Sequence, residues 1–156
     1  MLEKKEIKLS DLVQISRHYQ RSIKIDIDLG RSDALDGYIC HGTSKAVLES
    51  MSKQLLESNQ RAFTWTGPFG GGKSSLAVAF ASALGADKHL RAKARGVLQV
   101  QSIPAFDQAI PYKKAWLTVP IVGKRASVIA EISKGLRKAQ GFNHYGRKVT
   151  SDSLIV

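Results

Sequence analysis

The sequence predicts an α/β protein with three layers, in which helices cover both faces of a mostly parallel β-sheet. First, a β-prone run at 62–66 leads into a glycine-rich turn and then into a helix-prone run rich in Ala and Leu. Second, residues 115–122 (AWLTVPIV) are mostly apolar, which is typical of a strand buried on both faces. A helical pattern follows each run, and alternation of strands with helices predicts a parallel sheet.

Residues 1–60 are expected to form a small capping segment of helix, strand and helix that precedes the sheet. Apolar residues at helical spacing predict a helix over 10–20. Strict alternation over 23–29 predicts a half-buried strand, with Asp26 and Asp28 on its solvated face. A metal site at these two aspartates is disfavoured because no further acid or histidine lies beside them in the sequence.

A second helix is predicted from Thr43 or Ser44, either of which can cap it, to about Ser58. Tyr38 and Ile39 lie just before this helix, upstream of the first strand of the expected sheet. In several nucleotide-binding architectures this position closes over the base. The two residues are therefore candidates for adenine contact, and ordinary core residues are the alternative.

The strongest functional signal is the turn between the first predicted strand and its helix. Gly67, Gly72, Lys73 and Ser74 spell G-x-x-x-x-G-K-S, the phosphate-binding loop signature, with a β-prone run before it and a helix-prone run after it. The motif needs this context. A chance match to the motif is expected in well under roughly 1% of chains of this length, given average glycine usage.

Each residue type in this loop has a physical task. Glycine tolerates positive φ and has no Cβ, so consecutive backbone N–H groups can converge on a phosphate. The helix that begins near Lys73 directs its free N–H groups and positive dipole end at the same place. We expect the Lys73 ammonium to reach the β- and γ-phosphate oxygens, and the Ser74 hydroxyl to ligate Mg²⁺. The expected triphosphate-binding residues are Gly67, Pro68, Phe69, Gly70, Gly71, Gly72, Lys73, Ser74 and Ser75.

The remaining chain continues the strand–helix pattern. Gly85 is expected to end the helix after the loop, and 87–95 to form a short basic helix. Residues 97–103 are β-prone up to Pro104. Lys124 and Arg125 then lead into a helix that ends near Gln140, and phosphate contact by this pair is weighed against a solvated turn.

An acid at the end of a second buried strand, which normally holds the Mg²⁺ shell for hydrolysis, is missing from the pattern. The acids after the loop are Asp87, Asp107, Glu131 and Asp152, and none follows an uninterrupted apolar strand. Residues 61–156 are also too few for a complete sheet domain, since each strand–helix unit needs roughly 30 residues. We expect them to be the N-terminal part of a larger ATPase.

Charge and composition constrain the class of protein. The net charge of +11 lies entirely in 61–156, which holds fifteen Lys and Arg against four acids. This excess predicts contact with DNA or RNA, and a solvated basic face or an acidic partner domain is the alternative. The single cysteine suits a reducing compartment, and no signal sequence or membrane-spanning run is seen. We expect a cytoplasmic protein without a membrane partner.

At 62–85 the chain resembles the P-loop NTPase superfamily, and FTWTGPFGGGKSSLA looks like the Walker A loop of AAA+ and STAND-like bacterial ATP-binding proteins. The resemblance implies that Gly67 to Ser75 bind the triphosphate, that Lys73 is catalytic by stabilising transferred charge, and that Ser74 takes Mg²⁺. It also implies a homo-oligomer or larger complex for the full-length protein. ATP is expected over GTP, since no guanine-reading N-K-x-D motif is present.

Two other classes of function stay open from the sequence. A small phosphoryl-transfer kinase would use the same loop and an arginine-bearing lid, for which Arg91, Arg95 and Arg125 are candidates. A non-catalytic, basic nucleic-acid-binding module would instead bind polyanions in a salt-sensitive way that survives Lys73→Ala.

Overall fold

The computed structural model describes residues 22–58, 60–123 and 125–141, together with Lys8, Leu12 and Val13. The described residues form α-helices joined by turns and extended segments, with 3₁₀ turns at Asp33–Leu35 and Val100–Ser102. The helices are α1 (Ile25–Asp28), α2 (Gly42–Glu57), α3 (Lys73–Leu84), α4 (Lys88–Val97), α5 (Pro104–Ala109) and α6 (Val128–Gly141).

The predicted α/β fold with a parallel sheet is wrong, because no β-strand occurs among the described residues. The runs 62–66 and 115–122 have no regular secondary structure, and neither forms a strand ladder. The Trp116 N–H instead donates to the carbonyl of Leu84, at the end of a helix, at 2.9 Å. Strand propensity becomes a sheet only when a partner strand supplies the ladder hydrogen bonds, and Pro120 lacks one of the donors.

The resemblance to the P-loop NTPase superfamily is contradicted for the same reason. A P-loop NTPase core is built around a parallel sheet, and the part of the chain that the structure describes is helical. In the described part of the chain the glycine motif is therefore present without the sheet that the resemblance implied, and the chain is not assigned to that superfamily.

The predicted strand over 23–29 is also wrong, since the short helix α1 occupies its centre. Asp28 is fully buried, and its Oδ2 accepts the Lys24 N–H at 2.8 Å, whereas Ile27 is exposed. The alternating pattern predicts the reverse, with Ile27 buried and Asp28 exposed to solvent. The β-prone run 97–103 similarly contains a 3₁₀ turn rather than a strand.

Replacing Asp28 with alanine is expected to lower the free energy of unfolding by roughly 1–3 kcal/mol, because the change removes a buried carboxylate that accepts the Lys24 N–H. Urea denaturation followed by circular dichroism measures the change. Asp26→Ala is the matched control, because Asp26 is an exposed aspartate of the same helix, and it should change the free energy by less than about 0.5 kcal/mol. Equal effects of the two variants would contradict the role of Asp28.

The predicted helices are largely confirmed. The helix expected over 43–58 is α2, the helix after the glycine loop is α3 and ends at Gly85, and the short basic helix is α4. The last predicted helix is α6. The helix expected over 10–20 lies outside the described residues apart from Leu12 and Val13.

The core lies where α3 packs against α4 and α1, and where α5 packs against α2. Its centre is Phe106 of α5, which is fully buried and meets the Phe80 ring edge-on at 6.3 Å between centroids. Leu48 of α2 and Val78 of α3 are buried in the same cluster. No helix in the described ranges has both the length and the apolar character needed to cross a bilayer.

Candidate functional site

The extended segment before the glycine loop is held by Trp65. The Trp65 Nε1–H donates to the sulfur of Met51 in α2 at 3.2 Å, and the indole meets the Phe80 ring of α3 at 5.9 Å between centroids. These contacts tie the start of the loop to two core helices. The loop is therefore anchored by Trp65 on one side and by the start of α3 on the other.

Two glycines in the loop adopt conformations that other residues rarely take. Gly70 has φ 78° and Gly72 has φ 74°, both in the left-handed region. The Gly71 N–H donates to the Pro68 carbonyl at 3.2 Å and closes a turn. Gly72 is the N-cap of α3, and its carbonyl accepts the first helical hydrogen bond, from the Leu76 N–H, at 2.9 Å.

Lys73, the first residue of α3, folds its side chain back over the loop. Its ammonium donates to the carbonyl of Gly67 at 2.9 Å and to that of Pro68 at 2.6 Å. The positive charge therefore lies against the carbonyls of the loop, and its contact with a phosphate stays a prediction. These two bonds also hold the loop around the charge.

The start of α3 has backbone donors without a cap. Gly72 supplies no side chain to cap the helix, so the backbone N–H groups of Lys73, Ser74 and Ser75 have no acceptor among the described residues. The Ser74 hydroxyl is exposed. The sequence between Glu57 and Asp87 contains no acidic residue that could compete for these donors.

The loop residues together fit an anion. Backbone donors and the positive end of the helix dipole lie at the start of α3, and the ammonium of its first residue lies against the preceding loop. Mg²⁺ is held in proteins through few side chains and the phosphates of its substrate, which suits a single hydroxyl from Ser74. Phe69 extends from the tip of the loop and is fully exposed.

The described acidic side chains that follow the loop in the sequence either bond to other groups or lie in another helix. Asp87 caps α4, where its Oδ1 accepts the Leu90 N–H at 2.9 Å. Asp107 forms an ion pair with Arg95, and Glu131 lies in the first turn of α6. No group of three or more His, Cys, Asp or Glu residues that could hold a metal ion occurs in the described part of the chain.

Tyr38 and Ile39, which are candidates for adenine contact or for the core, differ in their surroundings. Tyr38 packs against the core, and burial raises the pKa of its phenol, which fits the alternative of a core residue. Ile39 is exposed, and adenine contact by it stays a prediction. The neighbouring Cys40 thiol donates to the Leu98 carbonyl at 3.4 Å, and burial raises the pKa of that thiol, so it stays protonated at neutral pH.

The structure places two of the three proposed lid arginines, Arg91 and Arg95, away from the loop. Arg91 donates to the Gly85 carbonyl at 2.6 Å, just beyond the C-terminal end of α3. A helix of 12 residues, about 18 Å long, separates this end from Lys73. Arg95 donates to the Ile110 carbonyl at 3.4 Å. Arg125 is exposed, and Lys124 lies outside the described residues.

Sequence reasoning missed what Arg91 and Arg95 do. Both are buried, and their guanidinium carbons lie 5.1 and 5.4 Å from the ring centroid of Tyr112. Burial and the neighbouring charge of Arg91 lower the pKa of the Arg95 guanidinium. The i, i+4 spacing of the two arginines on one face of α4 was the available signal, but it did not identify Tyr112 as the partner.

Comparison of the chain with protein-family models, curated proteins and solved structures finds no match.

Proposed function

We propose that this protein binds a magnesium-bound nucleoside triphosphate, ATP in the first instance, through the glycine loop 67–72 and the first turn of α3. The backbone N–H groups of Lys73, Ser74 and Ser75 hold phosphate oxygens, and the Lys73 ammonium neutralises their charge. The Ser74 hydroxyl ligates Mg²⁺, which enters with the phosphates.

One observation supports this proposal above the others. Among the described residues, the Lys73 ammonium is bonded only to the neutral carbonyls of Gly67 and Pro68 in the loop, and it lies beside a helix N-terminus without a side-chain cap. A carbonyl does not neutralise an ammonium, and no acidic side chain in the described part of the chain pairs with Lys73. A dense anion such as a triphosphate supplies that counter-ion and the acceptors for the free N–H groups.

A series of ligands that differ only in phosphate number tests the proposal. Isothermal titration with ATP, ADP, AMP and adenosine in excess Mg²⁺ should show affinity falling at each step, with no binding of adenosine. GTP in the same series shows whether the base contributes. If adenosine binds as tightly as ATP, the protein recognises the nucleoside and not the phosphates, which would contradict a phosphate site.

A further inference from the structure

Two aromatic side chains are exposed beside two lysines in the segment Tyr112–Trp116. Tyr112 and Trp116 are 43% and 44% exposed, and Lys113 and Lys114 between them are exposed as well. The half-exposed rings offer flat apolar surfaces, and the lysines between them attract anions in a salt-dependent way. This combination is typical of surfaces that bind unpaired bases and their phosphates.

The backbone of this segment is fixed at both ends. The Lys114 N–H donates to the Pro111 carbonyl at 3.0 Å, which closes a turn around Tyr112. The Trp116 N–H donates to the Leu84 carbonyl at 2.9 Å, which ties the segment to the end of α3. The two rings are therefore presented in a defined arrangement before any partner arrives, which lowers the entropic cost of binding.

Buried positive charge lies beneath the segment. The guanidinium groups of Arg91 and Arg95 stack near the Tyr112 ring, and the Arg91 Nε is buried and makes no hydrogen bond among the described residues. Asp107 pairs with Arg95. With the two lysines of the segment, this cluster has four positive charges against one negative charge, so a polyanion is the complementary partner.

We propose that the segment Tyr112–Trp116 is a binding site for single-stranded nucleic acid. Bases stack on the rings of Tyr112 and Trp116, and phosphates contact Lys113 and Lys114. Stacking requires unpaired bases, which a duplex does not offer, and a run of acidic side chains supplies negative charge without rings that stack. The segment lies at the Leu84 end of α3, so this proposal is independent of nucleotide binding at the loop.

Fluorescence anisotropy with a fluorescein-labelled dT15 strand tests the site, and an rU15 strand tests RNA in the same way. Trp116→Ala should weaken binding by roughly 5- to 150-fold, the range expected when a stacking ring is removed. Lys113→Ala with Lys114→Ala should reduce the slope of log affinity against log salt by about 1.4, as expected for the loss of two phosphate contacts.

The matched control is Lys134→Ala with Lys138→Ala, which removes the same charge from exposed positions of α6. It should leave the slope unchanged. Equal effects of the two double variants, together with full affinity in Trp116→Ala, would overturn the proposal in favour of diffuse attraction to polyanions. Preferential binding to a duplex, a poly-glutamate peptide or anionic vesicles would also overturn it.

A second measurement keeps the proposal testable if Trp116→Ala does not fold. The chain has two tryptophans, so Trp65→Phe leaves Trp116 as the sole reporter. Its fluorescence should be quenched on addition of unlabelled dT15, because a base stacks on the indole. Binding seen by anisotropy without quenching would rule out contact at Trp116. Lys73→Ala should leave both signals unchanged, which separates this site from the loop.

Discussion

Replacing Lys73 with alanine is expected to weaken the binding of Mg-ATP strongly. The substitution removes the only side-chain charge within the glycine loop, and with it the charge-assisted hydrogen bonds that we propose to the phosphates. A hydrogen bond to a charged group contributes roughly 1.5–3 kcal/mol, so affinity should fall about 10- to 150-fold. Isothermal titration of the variant beside the wild-type protein measures the loss.

Two further variants sharpen this test. Lys88→Ala removes the same charge from an exposed position in the first turn of α4 and should bind Mg-ATP like the wild-type protein. Lys73→Arg keeps the charge on a larger, planar group and should bind with intermediate affinity. Because Lys73 also bonds the carbonyls of Gly67 and Pro68, circular dichroism must show that the alanine variant keeps its helices. An unchanged titration in Lys73→Ala would refute the proposed function.

Replacing Phe106 with alanine is expected to have the largest effect on stability. Phe106 is fully buried, packs edge-on against Phe80 and lies 5.0 Å from the guanidinium of Arg95. Truncation of a buried phenylalanine costs roughly 3–5 kcal/mol, because the cavity it leaves is only partly refilled. That is a large share of the 5–15 kcal/mol that typically separates folded from unfolded domains.

Urea denaturation followed at the helical circular dichroism signal measures this loss. Phe69→Ala is the matched control, since it deletes the same side chain from a fully exposed position in the glycine loop. It should change the free energy of unfolding by less than about 0.5 kcal/mol. If Phe106→Ala unfolds at the same urea concentration as Phe69→Ala, Phe106 is not the centre of the core.

Features that depend on neighbours in the sequence could be predicted well. The helices from Gly42, Lys73 and Lys88 follow from local spacing of apolar residues and from residues that end helices. The turn at Gly70 and Gly72 follows from the one residue type that adopts positive φ without strain. These interactions connect residues a few positions apart, so they can be predicted without knowing the tertiary structure.

Predictions that needed a distant partner failed. Residues 115–122 have the composition of a buried strand, but a strand exists only where another strand pairs with it, and Trp116 bonds to the end of a helix instead. Asp28 was assigned to a solvated face and is buried, because its carboxylate accepts the Lys24 N–H and α1 packs against α3. A polar residue can be buried when the fold satisfies its hydrogen bonds.

The sequence by itself determined a glycine loop with a lysine at the start of a helix, because that motif is written in adjacent residues. Only the tertiary structure shows that this loop lies among helices, with no β-sheet in the described part of the chain. It also decided that Arg91 and Arg95 lie against Tyr112 at the other end of α3. The reason is physical: the positions of side chains from distant segments depend on packing between helices, which spacing along one helix does not reveal.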